Sequence, residues 1–442
     1  MPDVSPAAPR GHAPSRPRSC DVVVVGAGPS GASCAYWLAE AGLDVVVLEK
    51  KHFPREKTCG DGVTPRAVRQ LEAMGLADEI ASHHRFIGLR AIAFGRELDL
   101  EWPRHDDFPD AGYVITRAEL DALVAGRAEK AGAELRQGTE AIAVVGERPG
   151  PARGVVVQDH DRDLIEEIHA KVVVVADGAN SRIGRALGAA RDRDVPLGMA
   201  IRSYHSSPRA DEPFIESHLD IRDREGNAVP GYGWIFPLGD GRVNVGLGIL
   251  ASDDRLKGIN TTKLLETFID FAPSSWCLSA ESALCAPTGG RLPMGFAVGP
   301  RVGPDYLLIG DAGGSINPFN GEGIAYGYET GRLAAEVITG ALAAGDLGVL
   351  ASYEERLEAR YGRYYRVAAA FMALMMRPAL LRRFISWGMH SKTFMASVLR
   401  IMSNMLREGT VAAPELAYRV AARLLDRGGT ARLPANGSTL PR

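Results

Sequence analysis

Cysteine is scarce in this chain. There are five, Cys20, Cys34, Cys59, Cys277 and Cys285, and no two stand in a Cys-x-x-Cys spacing. An odd, unpatterned set argues against a disulfide framework or a zinc site and fits a reducing cytoplasm. Long apolar runs are missing too: a transmembrane helix needs roughly 18 apolar residues, and the longest candidate, Val367–Met376, is about half that. The N-terminus is rich in Pro, Ala and Arg and lacks the apolar stretch of a secretory signal, so residues 1–19 are expected to form a disordered arm. Charge of one sign is not in excess; a formal net charge of -3 gives no reason to expect a nucleic-acid partner. The ten histidines have no metal-ligand spacing, His83, His84 and His105 read as solvated loop residues, and no metal site is expected. No internal repeat is visible.

What is present reads as a normal globular protein, with 46% hydrophobic and 24% charged residues. At 442 residues the chain is too long for one core, and two domains, or two plus a helical tail, is the natural expectation. Asp21 to Val25 has the composition of a buried strand. It runs into Gly26-Ala-Gly28-Pro-Ser-Gly31, then a helical stretch to Ala41 ended by Gly42, then a second strand from Asp44 to Leu48. Strand, glycine turn, helix, strand is the Rossmann-type context that gives GxGxxG its meaning. Gly26 permits the tight turn, Gly28 lets the backbone approach a pyrophosphate, and Gly31 lets the helix pack on the strand. Glu49, 18 residues beyond Gly31, closes the second strand and can accept from both ribose hydroxyls, with Lys50 beside it. A carboxylate there repels a 2′-phosphate, which leaves FAD or NAD.

Two later segments favour FAD. Asp177-Gly178 follows the apolar run Lys171 to Ala176, and Gly310-Asp311 follows Tyr306 to Ile309. An acidic residue at the end of a late strand suits the hydroxyls of a ribityl chain. The loop after Asp311 holds Pro318, Gly321 and Gly323 and opens a helix from about Glu322. Bare N–H groups and a helix dipole there would stabilise negative charge on a reduced flavin pyrimidine.

These blocks resemble the p-hydroxybenzoate-hydroxylase-like flavoproteins from about Cys20 to about Arg427. Within that group the chain is similar to the geranylgeranyl reductase family. Pro54-Arg-Glu-Lys57-Thr-Cys59-Gly60 matches that family's PxxKxCGG-like motif, and Asp61 departs from its second Gly. Tyr232-Gly-Trp234-Ile-Phe236-Pro237, followed by Asn244-Val-Gly246-Leu-Gly248, matches its YxWxFP segment. The actinobacterial menaquinone-reducing branch is the most similar. The resemblance implies an α/β protein (α+β overall): a Rossmann-type FAD-binding domain with an inserted β-sheet-rich substrate domain and a C-terminal helical region. The expected FAD domain comprises 20–85, 111–190 and 289–345. The substrate domain takes 86–110 and 191–288, the helical region 346–427, and a tail 428–442. The resemblance also implies saturation of a prenyl double bond, and places Arg117 near the ribityl-phosphate arm of FAD.

An isolated alkene is a poor hydride acceptor, so a proton must arrive at one carbon as hydride arrives at the other. Cys59 is the candidate proton donor, and Lys57 a partner for Glu49 or FAD. Tyr232, Trp234 and Phe236 alternate along a strand and share one face, where they could hold the alkene. From Arg360 to Arg407 there is no Asp or Glu, but nine basic residues and seven methionines. Such helices suit an anionic membrane surface or a greasy tunnel. The expected partners are a lipophilic prenylated substrate, menaquinone or a relative, and a reductant that is NAD(P)H or an electron-transfer protein. The expected location is cytoplasmic, peripherally bound to the cytoplasmic membrane. The alternative is an FAD-dependent monooxygenase or halogenase. Tyr232 standing where halogenases carry Trp, and Gly314 where monooxygenases often carry His after the GD motif, argue against it.

Overall fold

The computed structural model describes residues 18–146, 150–251, 258–407 and 409–427. The tail 428–442 and most of the arm lie outside the described residues. Arg18 and Ser19, expected in that arm, are strand: they pair with Ile168 and His169, and Arg18 holds Asp44 at 2.6 Å and Glu134 at 3.2 Å.

The valine-rich runs are apolar on both sides, the composition of parallel strands covered on both faces. They form the centre of a seven-stranded sheet. Its order is Glu134–Arg136, Val45–Leu48, Arg18–Val25, Leu164–Val175, Gly154–Asp159, Thr139–Val144, and Tyr306–Leu308 pairs with the last residues of Leu164–Val175. Val22 faces Val45 on one side and Val172 on the other, all in parallel register. Alternation then sends Val22, Val24, Val45, Val47, Val172 and Val174 into a core shared with the helices Pro29–Glu40 and Ile324–Ala344. Val23, Val25, Val46, Leu48, Val173 and Val175 enter the core on the other face. Each fully buried side chain of this kind contributes roughly 1.5–3 kcal/mol, so a one-residue slip of any strand is heavily penalised.

A second seven-stranded sheet runs Thr288–Leu292, Leu197–Ser206, Arg242–Ala251, Gly231–Pro237, Phe214–His218, Gly88–Ala93, Arg96–Glu101. Thr288–Leu292 pairs antiparallel with Leu197–Ser206, so the sheet-rich region reaches Leu292 rather than stopping at residue 288. One face carries Ile201, Ile235, Val243, Val245 and Leu247 against the helix Thr261–Phe271. The other face holds Tyr204, Trp234 and Phe236 and turns toward the first domain and the C-terminal helices. Residues after Ala351 are helical, in Ser352–Leu357, Arg363–Met375, Pro378–Gly388, Lys392–Met402 and Ala413–Arg427, with one π-helical turn at Glu358–Gly362. Ile385, Met389, Met395 and Leu399 from these helices pack with Phe86, Ala91, Ala93 and Leu100 in one core. A short sheet of Gly62–Val63, Gly112–Val114 and His84–Phe86 joins the two large units.

Candidate active site

The glycine motif folds as its spacing requires. Gly26 takes φ +101°, and a β-carbon there would lie 2.5 Å from the Ala176 carbonyl. At Gly31 a β-carbon would lie 1.9 Å from the Gly26 carbonyl, so only glycine lets the helix approach the turn. Gly28 caps the helix Pro29–Glu40, whose first turn has no side-chain cap and no acidic residue. Only the Arg55 guanidinium, at 3.8 Å, would be near a β-carbon at Gly28. Uncapped N–H groups, an open approach and a cation beside it fit a pyrophosphate.

Glu49 is buried at the end of the second strand. Its cationic neighbour is Arg55, at 3.0 Å, which also holds Asp121 at 2.7 Å. Arg117, buried on the helix Arg117–Lys130, grips the same Asp121 at 2.7 Å. An alternating row Glu49–Arg55–Asp121–Arg117 thus leads from beside Gly28 toward Cys59. Lys50, expected to bind the cofactor, is exposed beside the inward-turned Glu49 and joins no ion pair or hydrogen bond among the described residues. One expectation needs correction: Lys57 is likewise exposed, and the cation on Glu49 is Arg55, whose guanidinium reaches both Glu49 and Asp121.

The Asp-Gly and Gly-Asp segments meet this turn. Asp177 Oδ2 accepts the N–H groups of Arg182 and Ile183 at 2.8 and 3.1 Å, capping a short helix, while its Oδ1 is buried with no partner among the described residues. One oxygen is therefore committed to the fold and one remains for a ligand. Gly178 follows in the left-handed region, φ +83°. Gly310 abuts Ser30, and the Asp311 carboxylate lies beside Gly323, at the N-terminus of Ile324–Ala344. That helix also has no side-chain cap and no acidic residue in its first turn. Contacts thus gather Gly26, Gly28, Gly31, Glu49, Asp177 with Gly178, Asp311 and Gly323 around the glycine turn, with Pro318 and Gly321 in the loop ahead of Gly323, and the uncapped N–H groups and the orphaned Asp177 oxygen fit FAD.

Cys59, Tyr232 and Trp234 converge at the junction of the two sheets. Tyr232, Trp234 and Phe236 sit on one face of their strand, with ring centroids 6.1 and 6.2 Å apart in sequence. Phe236 lies against Gly60 and Gly62, where a β-carbon would meet its ring at 3.2 and 3.1 Å. The Tyr232 hydroxyl donates to the Asn320 carbonyl at 2.6 Å and so ties the aromatic strand to the Pro318–Gly323 loop. Trp234 Nε1 donates to Asn244 Oδ1 at 2.9 Å; Asn244 Nδ2 donates to the Cys59 carbonyl at 2.8 Å and to Asp61 Oδ2 at 2.7 Å. Cys59 is half-buried. Burial pushes its thiol above the ordinary value, and the Arg117 charge does not offset this, so the group stays a neutral S–H.

Sequence reasoning missed several members of this site. Arg55 and Asn244 stood inside the quoted motifs without a role. Asp61 registered only as a departure from a pattern, yet it is fully buried and burial raises its carboxyl to about 6. Glu322 shares a short hydrogen bond with Thr64, and burial raises it to about 7. A buried ion pair, Arg66–Glu329 at 2.8 Å, lies behind them, with the Tyr361 hydroxyl also on Glu329.

Comparison with known proteins agrees with this geometry. The FAD binding domain family matches residues 19–226, and the geranylgeranyl reductase catalytic domain family matches residues 221–277. The cleft and these matches define an FAD-dependent oxidoreductase. Over 388 residues the chain is 41% identical to menaquinone reductase of Mycolicibacterium smegmatis, covering 88% of this chain and 92% of that protein. It is 32% identical to digeranylgeranylglycerophospholipid reductase 2 of Methanopyrus kandleri, covering 79% and 84%. A geranylgeranyl bacteriochlorophyll reductase-like protein of Thermoplasma acidophilum shares the fold, with TM-score 0.71 at 23% identity over 93% and 99% of the two chains. The chain belongs to the geranylgeranyl reductase family of FAD-binding flavoproteins and is closely related to actinobacterial menaquinone reductases.

Proposed function

We propose that this protein saturates one C=C bond in the prenyl chain of a lipophilic quinone, with menaquinone as the favoured substrate. The observation that carries the reading is the junction itself. A neutral thiol at Cys59, a wall of Tyr232, Trp234 and Phe236, and the Pro318–Gly323 loop meet where the FAD cleft opens onto the second sheet. Bound FAD, once reduced, supplies hydride to one alkene carbon. The Cys59 S–H supplies the proton to the other: the S–H bond breaks, a C–H bond forms, and the thiolate left behind lies near the Arg117 charge. The aromatic face excludes water and holds the apolar chain in reach. Arg55, fixed by Glu49 and Asp121, and the first turn of Pro29–Glu40 hold the pyrophosphate. Electrons come from NAD(P)H or an electron-transfer protein.

A peripheral membrane contact belongs to the same reading, because the substrate lives in lipid. No helix among the described residues is long and apolar enough to cross a membrane. Several basic residues of the helical region are consumed internally: Arg363 and Arg366 pair with Asp426, and Arg400 with Glu415. Arg377, Arg382, Arg383 and Lys392 remain exposed, next to the exposed Leu380 and Trp387. Leu416, Val420 and Leu424 add an exposed apolar stripe on Ala413–Arg427. Cations beside exposed apolar side chains suit an anionic bilayer surface. The test is mass spectrometry of the quinone pool with and without the gene. Loss of the species bearing one saturated isoprene unit supports the proposal, and an unchanged pool contradicts it.

A further inference from the structure

We propose that Asp61 is the relay that returns a proton to Cys59 after each turnover, through the carboxylate oxygen that the fold leaves without a partner. The inference rests on the reading of Cys59 as proton donor. Four observations carry it. Asp61 is fully buried in the segment that joins the two sheets. It sits at φ +64°, a conformation that glycine takes without strain, so the carboxylate is retained against a backbone cost. Its Oδ2 accepts from the Tyr204 hydroxyl and from Asn244 Nδ2, while Oδ1 has no partner among the described residues. Asn244 Nδ2 bridges the Asp61 carboxylate and the Cys59 carbonyl, so acid and thiol are held in one rigid frame.

The proton balance is simple. After Cys59 has given its proton to carbon, the thiolate takes one from the Asp61 carboxylic acid: an O–H bond breaks, an S–H bond forms, and no oxidation state changes. Burial holds Asp61 near 6 and the Cys59 thiol above its ordinary value, so the transfer runs downhill. The groups facing Asp61 are Tyr204 and Arg202 from Leu197–Ser206, Arg117 from its helix, and Cys59. Arg202 covers the Tyr204 ring at 4.2 Å and binds Glu56, which is largely exposed. Arg202 is a fixed cation that orients Tyr204 and carries no proton, and the proton that recharges Asp61 comes from solvent.

The experiment uses the FAD-loaded full chain, excess dithionite and a detergent-dispersed polyprenyl quinone, followed by rapid quench. Asp61→Asn keeps the shape and tolerates the backbone. Cys59 starts protonated, so the first equivalent of product forms within about threefold of the wild-type rate, whereas later turnovers slow by about 10²-fold or more. Formic acid in the buffer restores those later turnovers. Asp61→Gly, which relieves the backbone, shows the same burst and slow phase should the Asn variant fold poorly. A linear phase equal to wild type, or a first turnover slowed as much as the later ones, overturns the relay. Cys59→Ala run alongside separates the two claims. If it keeps a normal first turnover, the reading of Cys59 fails and the relay with it; if it loses that turnover while Asp61→Asn is unaffected, the relay alone fails.

Discussion

Gly28 and Gly31 lie three residues apart and are expected to respond to substitution in opposite ways. Gly28 has an ordinary extended backbone, φ -74°, and a side chain there meets only the Arg55 guanidinium, at 3.8 Å. Gly28→Val therefore leaves the apoprotein close to wild type but fills the space a pyrophosphate needs. Gly31→Ala drives a methyl group to within 1.9 Å of the Gly26 carbonyl, and the helix must move. Overpacking of that kind costs about 1–3 kcal/mol or more. FAD at about 100 times its Kd stabilises the folded state by about 2.7 kcal/mol. Unfolding entropy of about 2.1 cal/mol/K per residue over 442 residues makes this a Tm rise of about 3 °C. Differential scanning fluorimetry of apoprotein, with and without FAD, reads both effects. Wild type rises on adding FAD; Gly28→Val has a near-normal apo Tm and no rise; Gly31→Ala has a lowered apo Tm. An equal loss of apo stability in both variants, or a normal rise in Gly28→Val, refutes the assignment of these glycines.

Three further outcomes follow from the site. Cys59→Ala should keep FAD and yellow colour yet lose about 10²–10⁴ in turnover, the usual worth of a general acid, and Cys59→Ser should recover little; full activity in Cys59→Ala would return the residue to packing. Because burial raises Asp61 from 3.8 to about 6, the folded chain keeps that proton where the unfolded chain has lost it, so this group's contribution to stability falls as pH climbs through that window. In denaturant titrations Asp61→Asn should shrink the stability difference between pH 4 and pH 7.5 by about 2 kcal/mol, and an unchanged difference would count against the raised value. Reversing Arg382 and Arg383 to Glu should release the protein from phosphatidylglycerol-rich vesicles, each basic residue at such a surface contributing about 1 kcal/mol; wild type that fails to bind those vesicles would leave the helical region as a cap alone.

The valine strands and the three glycine-bearing motifs were legible because their signals are local. Period-two burial and a turn followed by a helix can be read within about thirty residues. The aromatic stripe was legible for the same reason. What escaped was set by pairings between distant segments. Asn244 owes its place to the antiparallel register that sets it opposite Phe236, which brings its amide between Trp234 and Asp61. Arg55 was passed over because Lys50 and Lys57 offered the same charge nearby; only the folded loop decides which one turns inward. Arg66 and Glu329 are separated by 263 positions. The acid-free stretch from Arg360 to Arg407 overstated the free positive charge, since Glu358, Glu415 and Asp426 lie just outside it and pair back onto it.

The most direct measurement is the mass of the product. Purified FAD-loaded protein, reduced with dithionite and given a polyprenyl menaquinone, should return a quinone heavier by two hydrogens, with fragment ions that place both in one isoprene unit and leave the ring unmodified. A product heavier by one oxygen, a halogenated product, or hydrogens added to the ring alone would contradict the account.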